Sequence, residues 1–92
     1  MAKVIVTFKI MPESPESDLD KIQEESKQKI IDFVGEGDMK IEVEPMAFGL
    51  KAIKIIFVAD EDKGSTDDLE EQIKELEGVS SLEVIDVRRA IG

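Results

Sequence analysis

Along residues 3–10, Val4, Val6, Phe8 and Ile10 alternate with Lys3, Ile5, Thr7 and Lys9. A period of two sends successive side chains to opposite faces, so this segment predicts a strand with one face buried. Met11-Pro12-Glu13-Ser14-Pro15 breaks it, because proline has no N–H for a central ladder. Ser17 or Asp18 then caps a helix running to about Val34, with Leu19, Ile22, Ser26, Ile30 and Phe33 on one stripe. Gly35-Glu36-Gly37 ends that helix. Met39, Ile41 and Val43 alternate with Lys40, Glu42 and Glu44 in a second strand, which Pro45 closes. Residues 50–59, LKAIKIIFVA, are the richest β segment and predict a central strand with Ile53, Ile55 and Phe57 inward.

An acidic turn follows at residues 60–65, and Ser65 or Thr66 caps a second helix. Asp67, Asp68, Glu70 and Glu71 sit at its positive N-terminal end. Leu69, Ile73 and Leu76 form its apolar stripe, and Gly78 stops it. A last strand runs from Val79 to about Arg88, with a mixed pattern that does not define an inner face. The order strand, helix, strand, strand, helix, strand is the split βαβ plan. The expected fold class is α+β: a ferredoxin-like βαββαβ sandwich, with a four-stranded antiparallel sheet and two helices on one face. Nothing divides the 92 residues, so 1–92 is expected to be one domain.

Composition removes several chemistries. The chain has no Cys, His, Trp or Tyr. That excludes disulfides, zinc fingers, thiol nucleophiles and histidine-based triads or metal sites. Asn is also absent, and with it the usual reader of adenine edges. Twelve Lys and Arg face twenty-two Asp and Glu, a net charge of −10. A chain of that charge is repelled by phosphate backbones. No signal peptide or membrane span is legible, which leads to the expectation of a soluble cytoplasmic protein.

Three features are candidates for function. In Pro45-Met46-Ala47-Phe48-Gly49-Leu50-Lys51 an aromatic residue sits between a strand-ending proline and a glycine. Phe is usually core, but at a loop tip it marks a contact surface. The second feature is that Lys3, Lys9, Lys51, Lys54, Arg88 and Arg89 fall in predicted strands or their ends, whereas the helices carry most of the acid. The bland counterpart is a set of solvated gatekeepers on strand edges. The third is the acidic loop, where Asp60, Asp62, Gly64, Thr66, Asp68 and Glu71 match the offsets of a calcium loop. Gly64 brings no side-chain oxygen, Ser65 stands where glycine is needed, and a strand precedes the loop instead of a helix. Asp60, Asp62, Asp68 and Glu71 are thus weak metal candidates, better explained as charge at a helix N-terminus.

No GxxxxGK[ST] loop is present. The fold plan is shared with acylphosphatases, which need an Arg in the first loop and an Asn, and neither is here. An RNA-recognition domain would need stacking aromatics, for which only Phe8 and Phe57 are available, and Phe8 is in phase with the core face.

The segment 45–51, then Asp60-Glu61-Asp62-Lys63, then Thr66-Asp67-Asp68-Leu69-Glu70-Glu71-Gln72-Ile73, then Asp86-Val87, together resemble the translation elongation factor 1-beta family. The short chain is similar to the archaeal form. The resemblance implies a guanine-nucleotide exchange factor, non-catalytic and without cofactor, that speeds GDP release from the elongation factor 1-alpha GTPase. It implies an exposed aromatic at Phe48 that inserts near the partner's nucleotide site. It also implies partner contacts at Gly49, Leu50, Lys51, Arg88 and Arg89, with no direct nucleic-acid or membrane contact and a monomeric chain. Eukaryotic members end in a lysine that reaches the partner's magnesium and phosphate site, whereas this chain ends Arg88-Arg89-Ala90-Ile91-Gly92. The alternative reading is a small-ligand or divalent-metal-binding regulatory domain that uses the acidic loop.

Overall fold

Strands with one clean apolar face make the centre of the sheet, and those with interrupted patterns make its edges. The computed structural model describes residues 3–35, 37–63 and 66–90. Strand β1 spans Lys3–Pro12, helix α1 Leu19–Val34, β2 Met39–Pro45, β3 Lys51–Asp60, α2 Asp67–Lys74 and β4 Val79–Ala90. The sheet order is β2-β3-β1-β4 and every pairing is antiparallel. This is the expected ferredoxin-like α+β sandwich, with β1 and β3 inside.

The register of β1 on β3 sets Val6 beside Phe57, Phe8 beside Ile55 and Ile10 beside Ile53. All six side chains are buried. The rings of Phe8 and Phe57 meet edge to face, with centroids 5.0 Å apart at 73°. Burial of each large side chain contributes about 1.5–3 kcal/mol, so this layer dominates the core. Ile22, Ser26 and Ile30 from α1, with Leu69 and Ile73 from α2, close it from one side. Both aromatics that stacking on RNA would need are therefore enclosed.

Helix α1 starts as its sequence dictates. Asp18 is the N-cap, its carboxylate accepting from the Lys21 N–H at 3.1 Å. Gly35 ends the helix at φ 83°, a left-handed conformation that suits glycine. The cap of α2 differs from the expectation. Thr66 occupies the N-cap without bonding a backbone N–H, and its hydroxyl instead donates to the Glu70 carboxylate at 2.6 Å. Ser65, the other expected cap, and Gly64 lie outside the described residues.

Three strand expectations need correction. β1 does not stop at Ile10. It continues through Met11 and Pro12, with Pro12 opposite Val79 just beyond a register shift. A proline is tolerated at a strand end where the ladder is already irregular. β2 is apolar on its inward face only in part: Met39 and Ile41 are half-buried, but Val43, near the end of this edge strand, is exposed. The mixed pattern of β4 comes from two register shifts, which leave Ser80 and Ile85 without residues directly opposite on β1. Each extra residue flips the phase of alternation, so one period cannot describe the strand.

Candidate functional site

The β2–β3 connection is built on a type I′ turn. The Leu50 N–H donates to the Ala47 carbonyl at 3.3 Å, and the Met46 N–H to the Leu50 carbonyl at 2.7 Å. Between them Phe48 has φ 62° and ψ 26°, and Gly49 has φ 77°. Positive φ at both central residues defines this turn, whose twist matches the flanking strands. Glycine is at home there, but phenylalanine is not. For a residue with a Cβ, the left-handed region costs roughly 1–2 kcal/mol. Among the described residues Phe48 is the one non-glycine with positive φ. Its side chain is also 93% exposed. The turn thus holds a large apolar ring out in water at a conformational cost. Composition alone would have buried it.

Several neighbours of Phe48 are accessible. Met46 and Leu50 are half-buried, and Pro45, Ala47, Gly49 and Lys51 are exposed. Pro15, from the β1–α1 connection, stands behind the turn: a methyl group added at Gly49 would lie 3.9 Å from its Cβ and Cγ. Lys51 opens β3 opposite Pro45. Among the described residues it has no carboxylate within ion-pair distance.

Arg88 and Arg89 are elsewhere. They pair across β4 and β1 with Ile5 and Val4, which lie beside Val58 and Ala59 of β3. That is seven to eight strand residues from Lys51, about 25 Å, in a molecule whose longest dimension is 42 Å. The sequence-derived contact set therefore forms two groups at opposite ends of the sheet. Both arginines are already engaged. Arg88 Nε lies 2.7 Å from Asp86 Oδ2 in an ion pair, and an Arg89 guanidinium nitrogen donates to Glu61 Oε1 at 2.7 Å.

The other basic strand residues are largely balanced. On the sheet face away from the helices, Lys3 meets Asp60 at 2.8 Å, Lys40 meets Glu42 at 3.5 Å and Lys54 meets Glu44 at 3.9 Å. The acidic loop is dispersed. Asp60 ends β3 against Lys3, Asp62 lies in a single 3-10 turn over Glu61–Lys63, and Asp68 and Glu71 belong to α2, where Glu71 lies 3.9 Å from Lys74. Among the described residues no three carboxylates gather closely enough to hold a metal ion. A cleft of about 230 Å³ beside Lys3, Gly35, Asp38 and Asp60 falls below the roughly 300–1,000 Å³ of most small-molecule pockets. Among the described residues no helix is long and apolar enough to cross a membrane.

What the sequence reading missed at this site is the exposed apolar run on β4. Val84, Ile85 and Val87 are all exposed. The signal was present as four residues, VIDV, in a strand without consistent phase.

Comparison with known proteins bears on the fold and the family. Two solved structures share the fold at low identity. A de novo designed protein, Foldit4, superposes with TM-score 0.64 at 17% identity and covers 98% of both chains. The ACT domain from the GTP pyrophosphokinase of Chlorobium tepidum gives 0.56 at 18% identity, covering 90% of this chain and 99% of that one. Curated relatives are nearer in sequence. The chain is 43% identical to elongation factor 1-beta of Methanothermobacter thermautotrophicus over 89 residues, 97% of this chain and 98% of the relative. It is 45% identical to elongation factor 1-beta of Staphylothermus marinus over 92 aligned residues, again 97% and 98%. Residues 5–90 match the family described as the EF-1 guanine nucleotide exchange domain, and the chain belongs to that family.

Proposed function

We propose that residues 1–92 act as one guanine-nucleotide exchange domain, promoting GDP release and GTP reloading on the translation elongation factor 1-alpha GTPase in the cytoplasm. The observation that carries this reading is Phe48, an apolar ring held 93% exposed in a left-handed turn. A folded chain keeps such strain where the residue has a task that outweighs it. Family membership supplies the task.

The mechanism is linkage between two binding events, and no covalent bond changes. The factor binds the nucleotide-free GTPase more tightly than the GDP-bound form, so by reciprocity it weakens GDP binding by the same factor. Phe48 inserts into the partner and contributes about 1.5–3 kcal/mol if fully desolvated. Gly49 supplies the second left-handed position and lets the two backbones approach. Leu50 closes the turn, and Lys51, with no carboxylate partner among the described residues, is available to an acidic group on the partner. Arg88 and Arg89 form the second point of contact, in the strand whose end carries a lysine in eukaryotic relatives.

The test is release of a fluorescent GDP from the cognate elongation factor 1-alpha, with this chain at substoichiometric amounts. Acceleration with turnover is expected for the wild type and loss of acceleration for Phe48→Ala, with both proteins equally folded. A wild type that leaves the release rate unchanged contradicts the proposal.

A further inference from the structure

The turn that carries Phe48 stands at the end of the sheet where β1 finishes and β4 begins, since Ile10 lies opposite both Ile53 of β3 and Leu82 of β4. Two other connections meet at this end, β1–α1 and α2–β4. Their backbones are tied, the Glu13 N–H donating to the Gly78 carbonyl at 2.8 Å. Gly78 in turn lies against the core. A methyl group added there would come within 3.3 Å of Ile22 Cδ1 and 3.8 Å of Ser17 Cβ, and Ile22 is buried.

Between Glu13 and the α1 cap at Asp18 the chain makes one tight turn. The Ser17 N–H donates to the Ser14 carbonyl at 3.1 Å, with Pro15 and Glu16 between them. Two side chains hold the same turn. The Ser14 N–H donates to Ser17 Oγ at 3.2 Å, and the Glu16 N–H to Ser14 Oγ at 3.2 Å. Proline at the first central position fixes φ at about −65° and removes no donor that the turn uses. The segment is therefore stiff, although Pro15 itself is exposed and takes no part in the core.

The Pro15 ring faces the Phe48 turn. The open side of Gly49 points at it, since a methyl group added at Gly49 would lie 3.9 Å from Pro15 Cβ and Cγ. The Phe48 turn is closed by bonds within residues 46–50. Such bonds fix the shape of a hairpin tip but do not stop it swinging on the strands that carry it. A strained residue persists where its surroundings over-determine it. Pro15 supplies the surroundings that the turn cannot supply for itself.

We propose that Pro15 is a positioning residue for exchange. Its ring, held by the Ser14–Ser17 turn and anchored through Glu13 and Gly78, backs Gly49 and limits the swing of the Phe48 turn. The proposal rests on the exchange-factor reading. Pro15 acts through Phe48 in the free protein. It raises the fraction of molecules whose ring is aimed, and apparent affinity scales with that fraction. The rate at saturation, set after docking, does not depend on it.

The experiment compares wild type, Pro15→Gly and Pro15→Val, with a thermal melt of each. One readout is the backbone amide order parameter of Phe48 and Gly49 in the free chain. The other is release of fluorescent GDP from elongation factor 1-alpha against factor concentration. Pro15→Gly deletes the ring, and Pro15→Val restores Cβ and Cγ atoms without closing it. In Pro15→Gly the order parameters should fall from about 0.85 to about 0.6. The half-saturating concentration should rise about threefold to fivefold at an unchanged saturated rate. Pro15→Val should recover most of both losses. Unchanged order parameters in Pro15→Gly overturn the proposal whatever the exchange data show, because direct contact of Pro15 with the partner would leave the free turn as it was. A fall in the saturated rate alone also overturns it, and a Pro15→Val no better than Pro15→Gly rejects the ring contact as the cause. If wild type gives no acceleration, the exchange-factor reading falls, while the order parameters still decide whether Pro15 braces the turn. If Pro15→Gly does not fold, Pro15→Ala, which keeps Cβ and loses Cγ, takes its place under the same criteria.

Discussion

At one end of the sheet Phe48 is exposed and strained, on a turn that Pro15 stands behind. At the other end Arg88 and Arg89 are also exposed, but each is held by a carboxylate of the same chain. The first end stores free energy that a partner can release, because burying the ring removes apolar surface from water without breaking an internal bond. The second has already spent its charge locally. Exposure alone therefore does not mark an interaction site. What distinguishes the two ends is the state of the exposed group before a partner arrives. The same difference separates Lys51, without a carboxylate partner among the described residues, from Lys3 and Lys54, which are paired on the open face.

The largest effect expected from breaking this contrast is at Phe48 itself. Phe48→Ala should lower the exchange rate constant by about 100-fold, matching the loss of about 2–3 kcal/mol of apolar burial. Phe48→Asn should do the same and also stabilise the fold, because Asn accepts the left-handed position that Phe resists. Relief of about 1 kcal/mol raises the melting temperature of a domain this size by about 4–8 °C. A Phe48→Asn variant that melts lower than wild type would show that the ring supports the fold.

The turn comes next. Gly49→Val places a β-branched residue at φ 77°, where such a side chain is strained. Exchange should fall roughly tenfold although Phe48 is retained, since a ring on a displaced turn enters the partner poorly. Unchanged exchange in that variant would mean that the turn does not aim the ring.

Charge substitutions should separate the two ends. Lys51→Glu should weaken binding severalfold at low salt and converge on wild type as salt rises, the behaviour of a free cation meeting an anion. Arg89→Ala should change exchange by less than about threefold, because its partner Glu61 already balances it. The reverse ranking would contradict the contrast. The smallest effect on exchange belongs to Ser26→Ala, which touches neither end. Ser26 is fully buried in α1, and its hydroxyl has no hydrogen-bond partner. Removing an unpaired buried hydroxyl, in favour of a better helix former, should stabilise the chain by about 1 kcal/mol. Denaturant unfolding measures that gain, with exchange unaltered.

The central fold was readable because β1, β3 and α1 each keep one period from end to end. Val6, Phe8 and Ile10, or Ile22, Ser26 and Ile30, leave no doubt about the inward face. β4 was not readable, because the bulges at Ser80 and Ile85 shift the phase twice in twelve residues and no local cue announces either. Pro12 misled for a related reason. A proline forbids a ladder bond, yet a strand end beside an irregularity asks for none.

At the Phe48 end the sequence singled out the segment 45–51 but not its geometry. Asn-Gly would have signalled a type I′ turn. Phe-Gly does not, and the left-handed Phe48 is visible only in the backbone. Nor could the sequence reveal that Arg89 is claimed by Glu61, 28 positions away. Pairing across the sandwich is a property of the fold.

The most direct measurement is release of fluorescent GDP from elongation factor 1-alpha at a tenth of an equivalent of this chain, beside the same amount of folded Phe48→Ala. Many-fold acceleration with multiple turnovers by the wild type, and almost none by the variant, is the result predicted. Equal acceleration by the two would contradict the claim that the strained, exposed ring at Phe48 drives exchange.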